Sequence, residues 1–287
     1  MKMLSFGEIL WDVYPDTKAL GGASLNLGAH AALLGGEVYL AGAVGNDALG
    51  KEALDVAKSF NIKDDFISVD EAHNTGIVAV TLSDNGIPSY EIVDNTAYDY
   101  IKKPDLTGKE IDVLAFGTLS LRHKENIETL KAIIKENSFK EIYADLNIRL
   151  PHSNKDSVCF ALSNATIVKI SDEELPCVSD WVFGKVLDEK EFVLKTTEKY
   201  QSIKIVLITK GDKGSFAFLK NTKEFVFADA VPTKVVSTVG AGDSFGAAFL
   251  TKYFEEKSIS DCLSFASKIS AYVCSKKDAV PKMTTIV

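Results

Sequence analysis

Cysteine and histidine are scarce in this 287-residue chain, four of each, and they are scattered. Cys159, Cys177, Cys262 and Cys274 form no C-x-x-C pair and have no histidine at metal-ligand spacing, so neither a zinc site nor a disulfide framework can be argued. Reduced, mostly buried thiols are expected. Basic charge is also short: 32 Lys and Arg against 40 Asp and Glu leave a net charge of −8. That balance argues against a nucleic-acid or anionic-membrane partner, since both favour a basic face. A phosphorylated ligand stays open, because a local nest of backbone amides needs little help from cations. No apolar run approaches the ~18 residues needed to span a bilayer. The first residues, MKMLSFGEILWDVYP, lack the long apolar core of a signal peptide. A cytoplasmic protein is expected.

What is present is alternation. Strand patterns at 2–6, 38–41, 112–116, 141–145, 165–170 and 203–209 are interleaved with helical patterns at 24–34, 49–60, 124–135 and 189–200, and two more helices are expected at 244–256 and 259–275. Such a rhythm predicts an α/β fold with a mainly parallel central sheet and helices on both faces. Two hairpins interrupt it. One, 75–82 with 89–93, turns at Ser83-Asp84-Asn85-Gly86-Ile87-Pro88; the other, 216–219 with 225–228, turns at Lys220-Asn221-Thr222. The first is expected to stand off the main sheet as a small β lid, joined by the extended piece 11–20, so that the lid spans about 11–20 and 74–98. No repeats or Pro/Gly-rich linkers divide the chain, and one domain over 1–287 is expected.

The stretch VSTVGAGDSFGAAFL, 236–250, poses a problem of charge. A glycine turn opening a helix makes an anion site from free N–H groups and the positive helix end, yet Asp243 stands at its mouth. Gly240-x-Gly242-x-x-x-Gly246 resembles a dinucleotide fingerprint, but it lies near the C-terminus, and no second strand with an acid follows. The conflict disappears in a phosphoryl transfer. Amides at Gly240, Ala241 and Gly242 would hold the moving group while Asp243 takes the proton of the accepting hydroxyl. A plain helix cap is the alternative. Gly21 and Gly22 ahead of a helix, Asp12 after the first strand, and the trio Asp145, Asn147 and Arg149 closing a later strand are further candidates; each also has a bland reading as a turn, a loop carboxylate or an ion pair.

In this order the motifs resemble the ribokinase-like (PfkB) carbohydrate kinases, and within them the bacterial fructokinases. The resemblance runs nearly the full length and is strongest over GEILWDVYPDTKALGGASLNLGAHAALLG, GAVGNDALG, DLNIR, VKISDEEL, ITKGDKGS and STVGAGDSFGAAFL. It implies an ATP- and Mg²⁺-dependent transfer of phosphate to a primary hydroxyl of a small sugar, D-fructose before others. Asp243 matches the family's base, and Gly240, Ala241 and Gly242 its anion hole. Asp12, Gly21, Gly22, Asn26 and Asn147 fall on the sugar side, with Arg149 reaching substrate or phosphate. Lys169 and Glu174 fit K-x-N-x-x-E, Glu174 serving Mg²⁺ through water. Thr209, Gly211 and Gly214 fit the nucleotide loop, and Ser267 the adenine side. Ser237 replaces an Asp that helps bind a monovalent cation in many relatives, which puts potassium activation in doubt. Ser171 stands for the motif's Asn, and Asp278-Ala279 for a usual Gly-Ala. A homodimer through the lid is a further implication, with the alternative that Val78, Val80 and Ile92 face the protein's own pocket. A ribose, 2-keto-3-deoxygluconate or nucleoside kinase, or a non-catalytic sugar binder, are the alternatives.

Overall fold

The computed structural model of the chain describes residues 1–82 and 88–282. β1 (Lys2–Phe6) leads into β2 (Leu10–Val13) and β3 (Lys18–Gly21), and α1 (Ala23–Leu33) follows at once. Next come β4 (Glu37–Gly45), α2 (Ala48–Ser59), β5 (Ile67–Asp70), β6 (Gly76–Leu82) and β7 (Pro88–Ile92). The alternation resumes with β8 (Val113–Gly117), α3 (Lys124–Glu136), β9 (Glu141–Asp145), α4 (Lys155–Asn164) and β10 (Ile167–Ser171). It continues through α5 (Leu175–Phe183), α6 (Glu189–Lys199) and β11 (Ile205–Thr209), then β12 (Ser215–Leu219), β13 (Glu224–Ala228), α7 (Ala241–Phe254) and α8 (Ile259–Cys274).

Nine of the described strands form one sheet in the order β13-β12-β11-β10-β9-β8-β1-β4-β5. Neighbours from β11 to β5 run parallel; β12 and β13 are antiparallel additions. Strand side chains alternate between two cores, as a period of two requires. Met3, Val113, Ala115 and Leu207 enter the core shared with α1, α2, α7 and α8. Leu4, Phe6, Leu114 and Val206 enter the other, with α3 to α6. Burial on both faces explains why these strands read as nearly unbroken apolar runs.

Two helices went unseen in the sequence. α4 lies behind LPHSNKD, which reads as loop; Asn154 is in fact its cap, accepting the Ser157 amide at 2.9 Å. α5 opens with Pro176 in its first turn, where a missing N–H is harmless. β5 was also unforeseen. α7 begins at Ala241 rather than 244, so Asp243 lies within its first turn. Among the thiols only Cys262 is fully buried; Cys159, Cys177 and Cys274 are half-buried, because their helices present them at the rim of the core.

A separate four-stranded sheet, β3-β2-β6-β7, covers the carboxyl end of the main one. The piece 11–20 is itself a hairpin, β2 against β3, while β2 and β6 pair in parallel. β6 and β7 pair antiparallel as expected; residues 83–87 of their turn lie outside the described residues. The small sheet does not stand free. Trp11 is buried and its indole N–H donates to the Leu49 carbonyl of α2 at 3.0 Å, and Lys18 pairs with Glu52. On the other side Arg122 donates to the Val93 carbonyl at 2.9 Å while paired with buried Asp99 at 2.7 Å.

α7 approaches β9 closely because residue 246 has no side chain. A methyl there would stand 2.3 Å from the hydroxyl of Tyr143, which is fully buried. Alanine outranks glycine in a helix by about 1 kcal/mol, but overpacking a rigid core costs about 1–3 kcal/mol. The 2.3 Å overlap puts the cost at the upper end, about 3 kcal/mol, so after the helix gain of about 1 kcal/mol Gly246→Ala is expected to lower stability by about 2 kcal/mol in urea unfolding. A variant as stable as the wild type would mean that α7 can shift outward freely.

Candidate active site

Parallel strands end together, and the crevice at their carboxyl ends is where an open α/β sheet receives ligands. Asp145 closes β9 and Lys169 lies opposite it in register on β10. Their ion pair, 2.8 and 3.0 Å, is buried at the floor of a cavity of about 640 Å³. Glu8 and Asp12 enter from β1 and β2, Asn26 from α1, and Asn147 and Arg149 from the loop after β9. Thr238, Val239, Gly240, Gly242 and Asp243 close the cavity from the start of α7. Leu10, Tyr14, Val78 and Ile92 of the small sheet form its roof.

Asp243 is the centre of this arrangement. Its carboxylate is buried and accepts a hydrogen bond from Asn26 Nδ2 at 2.9 Å. Burial, then the charge of Asp145, raises its pKa to about 7; Asn26, Lys169 and Arg149 pull the other way. Asp12 is likewise raised, to about 6, by burial, with Arg149 opposing. Lys169 keeps its proton: burial disfavours the charge, but Asp145, Glu174 and Asp243 outweigh it and lift its pKa. Its ammonium would lie 3.1 Å from a methyl at Gly242, directly behind the first turn of α7.

Gly240 is left-handed, φ 79°, and packs so tightly that a methyl would meet the Ala279 carbonyl oxygen at 2.5 Å. The amides of Gly240 and Gly242 have no acceptor among the described residues. Ala241 differs from the other two glycine-turn positions: its amide donates to the Thr238 carbonyl at 3.2 Å, closing the turn, and the residue does not line the cavity. An amide used to shape the turn is not aimed at a ligand.

The cavity thus gathers Asp12, Gly22, Asn26, Asn147, Arg149, Lys169, Gly240, Gly242 and Asp243. Gly21 lies just behind, a methyl there falling 2.9 Å from Asp12 Oδ2. Glu174 stays outside the lining. Its two oxygens accept the amides of Ile148 at 2.8 Å and Ser171 at 2.9 Å, tying the loop after β9 to the end of β10. Thr209 ends β11 beside Ser171, with Gly211 exposed in the next turn and Gly214 pressed against the Ala228 carbonyl. Ser267 is buried on α8. None of these four lines the cavity. Ser237 Oγ accepts the Val239 amide at 3.2 Å, so a neutral hydroxyl braces this turn. Of the lid residues that the sequence leaves free to face the protein's own pocket, Val78 and Ile92 do line the cavity, and the side chain of Val80 lies outside the described residues; Glu8, Leu10 and Tyr14 were missed. Glu8 had a signal, an acid directly after the first strand; Leu10 carries none, because an apolar strand residue looks the same wherever it faces.

A buried acid beside unpaired amides at a helix start, facing carboxylates and amide side chains suited to hydroxyl groups, is the equipment of a kinase acting on polyols. The chain matches the model of the pfkB family carbohydrate kinases over residues 7–286, belongs to that family, and is a sugar phosphotransferase. Its curated relatives include "Probable fructokinase-3" of Arabidopsis thaliana, 27% identical over 99% of this chain and 88% of that protein. Another is "Fructokinase-2" of Zea mays, 26% identical over 99% and 91%. An uncharacterized sugar kinase from Pyrococcus horikoshii, solved in complex with ATP, is similar at 25% identity and TM-score 0.81, covering 97% of this chain and 94% of that one. Fructokinase from Vibrio cholerae O395, solved in a fructose, ADP and calcium ion bound form, shares the fold at TM-score 0.83 and 23% identity, over 98% and 95%.

The environment of Asp243 can be read without substrate. A carboxyl-carbon NMR titration is expected to give a midpoint of about 7, and Asn26→Leu to move it higher, since the lost amide favours only the charged form. An ordinary carboxylate midpoint in the wild type would mean that water reaches the group.

Proposed function

We propose that this enzyme transfers the γ-phosphoryl group of ATP to a primary hydroxyl of a small ketose, D-fructose in particular. The observation that carries the proposal is Asp243: a buried carboxylate held by Asn26 at the opening of α7, next to the uncommitted amides of Gly240 and Gly242. Fructose as acceptor is supported by the fructokinase relatives, which span 99% of the chain. ATP as donor is supported by the ATP complex of the Pyrococcus horikoshii kinase.

In this reading the sugar lies between Asp12, Asn26 and Asn147, whose short polar groups hold hydroxyls, under the roof of the small sheet. Asp243 takes the proton of the attacking hydroxyl as the oxygen reaches phosphorus. The Gly240 and Gly242 amides receive the oxygens of the moving phosphoryl, and Arg149, exposed at the rim and without an ion pair within 4 Å among the described residues, meets its charge. Lys169 adds positive potential from behind the turn. Mg²⁺, when bound, would neutralise phosphate charge. Glu174 fits a role toward its water shell, because each of its oxygens keeps a lone pair after accepting one amide. The described parts of 11–20 and 74–98 act as the lid that excludes water during transfer. Thr209, Gly211, Gly214 and Ser267 border the nucleotide side.

Asp243→Asn preserves size and the contact with Asn26 but cannot accept a proton. Turnover is expected to fall by about 10²–10⁴, with sugar affinity near that of the wild type, in an ADP-release assay over fructose, ribose, 2-keto-3-deoxygluconate and nucleosides. Wild-type turnover in this variant would remove Asp243 as the base; faster turnover of another acceptor would replace fructose. Because the free enzyme must lose a proton from Asp243, kcat/KM is expected to fall as pH drops through about 7.

A further inference from the structure

His30 is wholly buried in the core and no step described above uses it. Its Nε2 lies 2.9 Å from the carbonyl oxygen of Ala279. A carbonyl only accepts, so Nε2 carries the hydrogen and Nδ1 carries a lone pair. That Nδ1 has no partner among the described residues. Burial, only partly offset by the Ala279 contact, lowers the ring's pKa to about 4, so it is neutral near pH 7. A leucine would fill the same space with no orphaned polar atom, which makes the single bond to Ala279 the feature to explain.

Ala279 is not an incidental acceptor. The same carbonyl oxygen is the atom a methyl on Gly240 would meet at 2.5 Å, with the Ala279 carbon atoms at 3.0 Å. The segment after α8 therefore forms the back wall of the glycine turn. Tyr272 Oη also holds it, donating to the Lys282 carbonyl at 2.8 Å. That bond does not act on Ala279 itself. His30 does, and it projects from α1 one turn beyond Asn26, on the same face of the helix. Asn26 fixes the Asp243 carboxylate at 2.9 Å, and His30 fixes the wall behind Gly240 at 2.9 Å.

We infer that His30 is a positioning residue for phosphoryl transfer: its Nε2–H holds the Ala279 carbonyl against Gly240 and keeps the anion-binding turn in register with Asp243. One helical face thereby sets the spacing between the base and the amides that receive the phosphoryl group. Sugar binding does not depend on that spacing, whereas the transfer step does, so loss of the bond lowers kcat and leaves the sugar KM in place. The inference rests on the reading of residues 240–243 as the transfer site.

Three substitutions separate positioning from packing. In His30→Gln the side-chain nitrogen reaches about as far as Nε2 and can still donate to Ala279. His30→Met has comparable length and no donor; His30→Asn is polar but too short. The expected result is kcat lowered about 10–100-fold in the Met and Asn variants, with unchanged sugar KM and recovery of most of the loss in the Gln variant. Should the Met chain fail to fold, Gln against Asn makes the same comparison. Equal kcat in all three variants, or a Met variant at wild-type kcat, would overturn the inference. A wild-type chain that releases no ADP with any acceptor would instead remove the transfer site itself.

Discussion

A carboxylate buried beside the amides of a helix start is held in place here by one amide side chain. Asn26 bonds Asp243 across 217 residues of sequence, joining α1 to α7 at the point where the two helices meet the sheet edge. Without that bond the acid is a desolvated charge with Asp145 for a neighbour, and it would protonate or turn away. With it, the acid stays poised near neutrality. The rest of the architecture serves this contact: Gly246 lets α7 come close to β9, and Gly240 lets the preceding turn lie flat against the chain behind it.

The charges around it are arranged by strand register. Asp145 and Lys169 are partners on adjacent parallel strands, so their ion pair follows from the sheet and needs no loop to assemble it. A fully exposed pair of this kind contributes little. Buried under the glycine turn, it does something else: the acid raises the pKa of Asp243 while the ammonium offers positive potential behind the Gly242 amide. One pair thus favours a base that can accept a proton and a turn that attracts an anion.

Much of this was legible from the residues. Alternating strand and helix patterns gave the sheet and its two helical faces, because strands buried on both sides leave unbroken apolar runs. The glycine turn with Asp243 announced its own conflict of charge. Asp12, Asn26 and Asn147, far apart in sequence, line one cavity. What stayed hidden depends on three-dimensional direction. Ala241 looks equivalent to its flanking glycines, yet its amide closes the turn onto Thr238. Asn154 looks like loop and caps α4. Leu10 roofs the cavity only because its strand belongs to a second sheet, and an apolar residue carries no mark of which sheet it will join.

Glu174 joins the loop after β9 to the end of β10. One oxygen takes the amide of Ile148, between Asn147 and Arg149; the other takes the amide of Ser171, next to Asp172, whose own amide reaches the Thr209 carbonyl. A single carboxylate therefore yokes the two loops together, and a shift in either is transmitted through it. Were sugar and nucleotide to occupy the two sides as proposed, thermodynamic reciprocity would require that whatever strain one relieves for the other, the second relieves for the first to the same extent.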